Sequence, residues 1–156
     1  MPEIKEGKLT FNFPTTWKVS KYDDWVFYRK HFLKLAGPKA IDILAVEPDN
    51  QKTWLIEVKD YRKNRRTKAI DLPLEIALKM RDSLAGLTCA RVNANNMERE
   101  LANTAVKTKC FRVVLHLEQP MKHSKLFPRA IDPADIQQKL RQLVKSRDRE
   151  KSLFQL

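Results

Sequence analysis

Two runs decide the reading of this chain: Ala40–Val46 (AIDILAV) and Thr53–Tyr61 (TWLIEVKDY), separated by Glu47-Pro-Asp-Asn-Gln-Lys52. Both are short, apolar and rich in β-formers, and turn residues divide them, so they read as two strands of a hairpin. Asp49-Asn50 suits the turn because both residues tolerate positive φ. With that pair at the centre, Val46 faces Thr53, Leu44 faces Leu55 and Asp42 faces Glu57. The alternation of side chains puts Lys59 on the same face as Glu57, while Ile56 and Val58 point into the core behind.

Working outward, the first 19 residues are expected to be a loose lead-in pinned by Phe11, Phe13 and Trp17. Ser20-Lys-Tyr-Asp23 has the form of a capping box, so a helix is predicted from Ser20 along Tyr22, Trp25, Val26, Phe32, Leu33 and Ala36, ended by Gly37-Pro38. Beyond the hairpin, Asp71-Leu-Pro opens a long helix to about Arg91, with Ile76, Met80, Leu84 and Leu87 as its buried stripe. A further helix is read over Met97–Lys107 and a strand over 110–118 (CFRVVLHLE). Asp132-Pro-Ala-Asp135 begins a last helix on Ile136, Leu140, Leu143 and Val144. The expectation is a single α/β domain over 1–156. It comprises the lead-in (1–19), a core over 20–118 with a central mixed sheet whose antiparallel hairpin is flanked by helices, and a basic loop and C-terminal helix over 119–156.

The chain carries 31 Lys and Arg against 19 Asp and Glu, a formal charge of +12. A compact body with that surplus repels itself, and a polyanion such as nucleic acid is the partner that offsets it. Cys89 and Cys110 are too few for a disulfide framework and lack zinc-site spacing. Neither a leader peptide nor a run of the roughly 18 apolar residues a membrane span requires is seen. A reduced, cytoplasmic protein with no membrane contact is therefore expected. His31, His116 and His123 are scattered without metal-ligand spacing, and no phosphate-binding Gly-x-x-x-x-Gly-Lys-Ser/Thr loop occurs.

Two carboxylates opposed across a ladder repel unless a cation lies between them. Lys59 offers one charge; Mg²⁺, with Mn²⁺ as a substitute, suits carboxylate oxygens better. The segment IDILAVEPDNQKTWLIEVKDY resembles the PD-(D/E)XK nuclease superfamily, the restriction-endonuclease-like fold, with Ile41 where the family's name has proline. The resemblance implies Asp42 and Glu57 as metal ligands, the Val58 carbonyl as a third, and Lys59 as the catalytic lysine. The match runs over roughly 20–118 in element order but is residue-specific only in 37–61. It implies a Mg²⁺-dependent endonuclease hydrolysing DNA, with RNA open as a substrate. Its dimer, or a partner subunit, follows from the need to cut two strands. The competing expectation is a non-catalytic nucleic-acid-binding module, or a subunit of a defence, repair or transposition complex. The bland alternative is a surface salt-bridge cluster.

Around that constellation lies a basic loop, Arg62-Lys-Asn-Arg-Arg-Thr-Lys68, whose Arg62, Lys63, Arg65, Arg66 and Lys68 are candidate phosphate contacts. Lys79 and Arg81 are further candidates for the same cleft. Met121–Arg129 (MKHSKLFPR) and the basic side of the last helix extend the charge. Asp23 and Asp24, near the start of the first predicted helix, are acids that such sites sometimes recruit.

Overall fold

The structure, a computed structural model, describes residues 1–34, 37, 39–120 and 131–144. The hairpin forms as read. Strand β4 (Ile43–Glu47) and β5 (Lys52–Asp60) pair antiparallel with Val46 opposite Thr53 and Leu44 opposite Leu55. Asp49 and Asn50 are the central residues of the turn closed by the Gln51 N–H on the Pro48 carbonyl at 3.0 Å. The positive φ falls on Gln51 (49°) instead of on either of them, because the four-residue loop reverses direction at its last position.

Upstream the reading needs correction. The lead-in is a hairpin of β1 (Glu3–Glu6) and β2 (Leu9–Asn12), with Ile4 opposite Phe11. The helix predicted from Ser20 begins instead as strand β3 (Lys18–Lys21), antiparallel to β4 with Ser20 opposite Leu44. The Ser20 hydroxyl accepts from Trp25 Nε1 at 2.8 Å and caps nothing. Among the described residues of this region only α1 (Val26–Lys30) is α-helical, with 3₁₀ turns at Tyr22–Asp24 and Phe32–Lys34, and Ala36 and Pro38 lie outside the described residues. Free backbone groups along the edge of β4 favour a strand at Ser20, and burial of Tyr22, Trp25, Phe27 and Phe32 then ties the short turns down. Glu98 reaches across to accept from the N–H groups of Val26 and Phe27 at 2.7 and 3.1 Å, so the exposed start of α1 is capped from another helix.

Downstream the pattern holds. Helix α2 (Leu72–Asn93) runs unbroken past Gly86, α3 spans Asn96–Val106 with Asn95 accepting from Glu98 N–H, and β6 spans Cys110–Glu118. Helix α4 (Pro133–Val144) buries Ile136, Leu140 and Val144, while Leu143 is exposed. Strand β6 lies parallel to β5, a pairing that requires the α2–α3 crossover between them. The sheet order is β3-β4-β5-β6, mixed in direction, with the β1–β2 hairpin a separate ribbon. The result is an α/β domain with a mixed sheet and an antiparallel hairpin flanked by helices.

Each face of the sheet carries its own core. Leu44, Val46, Leu55, Val113 and Leu115 pack beneath the helices with Ile76, Met80 and Leu87. Ile43, Ala45 and Ile56 pack with Phe13 on the opposite face, where Ile4, Phe11, Trp17, Trp54 and Val58 join them. Gly86 lets α2 approach that first core closely: a Cβ there would collide with the Tyr22 hydroxyl, itself held on the Ser83 carbonyl at 3.3 Å. The segment 121–130 and residues 145–156, which include the second basic loop and Lys145, Arg147 and Arg149, lie outside the described residues. Among the described residues no helix is long and apolar enough to cross a membrane.

Candidate functional site

Asp42 sits one residue ahead of β4, its N–H on the Ile56 carbonyl at 3.2 Å and its carbonyl accepting from Tyr22 N–H at 2.9 Å. Its Oδ2 accepts from the Val58 N–H at 2.7 Å, so the carboxylate spans the open end of the hairpin. Glu57 lies on the neighbouring strand with no exposed surface. The paired residues end at Ile43 opposite Ile56, so Asp42 is not a ladder partner of Glu57; the two acids meet through Lys79, which stands 3.6 Å from Asp42 and 2.6 Å from Glu57.

The sheet face that carries Glu57 is largely covered, with Asp42 and Lys79 at the edge of an open cleft. Helix α2 covers it and contributes Lys79 and Glu75. Glu57 Oε1 accepts from Lys59 Nζ at 2.5 Å and from Lys79 Nζ at 2.6 Å, while Lys79 also stands 3.6 Å from Asp42 Oδ1. Glu57 Oε2 is buried without a hydrogen-bond partner. Burial pushes the Glu57 carboxyl above its usual range and Asp42 adds to the push, against the two lysines. For Lys59, burial favours the neutral amine, but Glu57, Glu75 and Asp42 together outweigh it and raise the ammonium pKa.

Glu75, also fully buried, is the second hub. Its Oε1 accepts from Lys68 Nζ at 2.7 Å and lies 3.5 Å from Lys59 Nζ; its Oε2 lies 2.7 Å from Arg66 Nη2. Burial works to raise its pKa, yet Lys68, Arg66 and Lys59 bring it down to about 2. Asp23 borders the same cleft, raised to about 6 by burial, with Asp42 adding and Lys21 opposing. Asp24 turns away to Arg29 and Lys21. The cleft encloses about 430 Å³ among Asp23, Asp42, Glu75, Lys39, Lys68 and Lys79.

The basic loop is laced to this network more than it is free for a ligand. Arg62 grips Asp60 with Nε at 2.8 Å and Nη2 at 2.6 Å, Arg66 also reaches the Tyr61 hydroxyl and the Ile70 carbonyl, and Lys68 serves Glu75. Lys63 and Arg65 are exposed. Arg81 pairs with Asp82, away from the cluster. Sequence reasoning missed Glu75. Its only signal is a position four residues before Lys79 on one helix, a spacing that ordinarily reads as a surface pair.

Between Asp42 and Glu57 the positive charge is supplied by Lys79. Among the described residues no three of His, Cys, Asp and Glu converge to hold a metal ion. The Val58 backbone N–H is given to Asp42 Oδ2.

No protein-family model and no solved structure matches the chain. A cysteine–tRNA ligase of Neisseria meningitidis serogroup A / serotype 4A is similar, 33% identical over 168 residues covering 87% of this chain and 24% of the ligase. The chain thus spans about a quarter of the length of the curated relative it matches. That likeness overturns the expectation of a Mg²⁺-dependent DNA endonuclease: the similar protein is a cysteine–tRNA ligase. The physical source of the error is that opposed carboxylates with a lysine are also the composition of a buried ion-pair network. The homodimer rested on cleaving two strands and loses that ground.

Proposed function

We propose that this chain is an RNA-binding piece allied to an aminoacyl-tRNA synthetase, with tRNA as its polyanionic partner. The observation that carries the reading is the 33% identity over 87% of the chain to part of a cysteine–tRNA ligase. The +12 charge supports it, since a tRNA presents one phosphate per nucleotide and releases counterions when lysines and arginines neutralise them. The element order from β4 to β6 supports a restriction-endonuclease-like scaffold put to binding, with the Asp42–Glu57–Lys59–Glu75–Lys79 network fixing α2 against the sheet beside the basic loop. A Mg²⁺ or Mn²⁺ ion at Asp42 and Glu57 would compete with Lys79 for Glu57 Oε1, and no part of the proposal requires one. The relative is an enzyme; activity of this chain on its own is not proposed.

Fluorescence anisotropy with labelled tRNA specific for cysteine, against a duplex DNA of matched length, tests the reading at salt between about 50 and 200 mM. The expected result is tRNA binding at least about tenfold tighter than binding to the duplex, a difference of about 1.4 kcal/mol. Equal or tighter binding to DNA refutes it.

A further inference from the structure

On the sheet face opposite Glu57, a second cleft of about 620 Å³ opens between the β1–β2 turn and the basic loop that follows β5. That volume is in the ~300–1,000 Å³ range of ligand clefts. Its floor includes Val58, and its walls carry Lys8 from the turn and Arg62, Lys63 and Asn64 from the loop. The turn that presents Lys8 depends on Gly7, whose φ of +58° disfavours a side chain.

The two carboxylates in the wall are already committed. Glu6 Oε2 is 2.9 Å from Lys21 Nζ, and Asp60 accepts from the Arg62 backbone N–H at 3.1 Å as well as from its guanidinium. Lys8 and Lys63 are exposed and make no ion pair among the described residues. Lys8, Lys21, Arg62 and Lys63 therefore stand against Glu6 and Asp60, a surplus of two positive charges around one concavity. The grip on Asp60 uses Arg62 Nε and Nη2 and leaves Nη1 outside that fork. Cationic donors on either side of Val58 match a sugar-phosphate chain: the non-bridging oxygens accept from the cations while the sugar covers Val58.

We infer that this cleft is a backbone subsite for RNA, held by Lys8 and Lys63 with Arg62 and Asn64 as flanking donors. The inference rests on the RNA-binding reading above and names the surface that does the work. The Asp42–Glu57 cluster, on the other face of β5, takes no part in it.

The test compares wild type, the Lys8→Gln/Lys63→Gln double variant, and a control of equal charge change, Lys107→Gln/Lys109→Gln, whose lysines are exposed near the end of α3 and the start of β6. Anisotropy titrations with tRNA across the same salt range give affinity and salt slope. Removing two phosphate contacts lowers the slope of log K against log salt by about 1.5. The cleft variant is expected to show that drop with an affinity loss of about tenfold, while the control keeps its slope. All four positions are exposed, and circular dichroism confirms that each variant folds. A cleft variant that binds like wild type, or a control that loses as much, overturns the inference and leaves the RNA-binding reading standing. Wild type that fails to bind tRNA at all removes both. Poly-glutamate displacing tRNA at equal charge concentration also overturns the inference, since it would make the cleft a site for acidic protein.

Discussion

Replacing Glu75 by Gln isolates the electrostatic role of one buried carboxylate that three cations surround. The change keeps the shape but removes the negative charge and leaves one acceptor oxygen, so only one of Lys68 (on Oε1) and Arg66 (beside Oε2) retains an acceptor. In the folded protein Lys68, Arg66 and Lys59 bring the Glu75 pKa from 4.5 down to about 2 despite burial. At about 1.36 kcal/mol per unit that difference is worth roughly 3 kcal/mol, and screening at the cleft mouth brings it to about 2–3 kcal/mol. The folded pKa is depressed, so the stability is fully present above the unfolded pKa and is lost as pH falls through the folded one. Urea unfolding of both proteins at pH 7, 4.5 and 3 measures it. The expected gap is about 2–3 kcal/mol at pH 7, starts to narrow near pH 4.5, and is roughly halved by pH 3. A gap below about 0.5 kcal/mol at pH 7, or one that stays constant down to pH 3, would refute the assignment of Glu75 as the charge hub.

Two more substitutions probe the cluster and the core. Asp42→Asn keeps an oxygen for the Val58 N–H and removes a charge that pushes the Glu57 carboxyl upward, so stability should stay within about 1 kcal/mol of wild type by urea unfolding. A loss of several kcal/mol would mean that the attraction of Lys79 for Asp42 dominates. Gly86→Ala drives a methyl into the Tyr22 hydroxyl and should cost about 1–3 kcal/mol despite the better helix propensity of alanine. Adding Tyr22→Phe removes the obstructing oxygen, and thermal melts should recover most of that loss; a double variant no better than Gly86→Ala would place the strain elsewhere.

Local pattern was enough for much of this molecule. Alternation and turn chemistry specified the β4–β5 register from Ile43 opposite Ile56 to Glu47 opposite Lys52, and with it the side on which Glu57 and Lys59 fall, because a one-residue slip would reverse every side chain. Apolar spacing likewise specified α2, α3, β6 and α4, where Ile136, Leu140 and Val144 are buried as read but Leu143 is exposed. Ser20-Lys-Tyr-Asp23 shows where pattern failed. Its capping form is a local preference, and the unpaired edge of β4, contributed by residues more than twenty positions away, outweighs it. The β1–β2 hairpin escaped notice because its strands are only four residues each.

The site divides along the same line. Which charges share a strand face follows from a period of two and is written in the sequence. Whether that face meets water, a ligand or another helix depends on where α2 lands, and α2 is carried there by the crossover to β6. The tertiary structure alone placed Glu75 and Lys79 over Glu57, turning two acids that seemed to call for an external cation into a network neutralised from within.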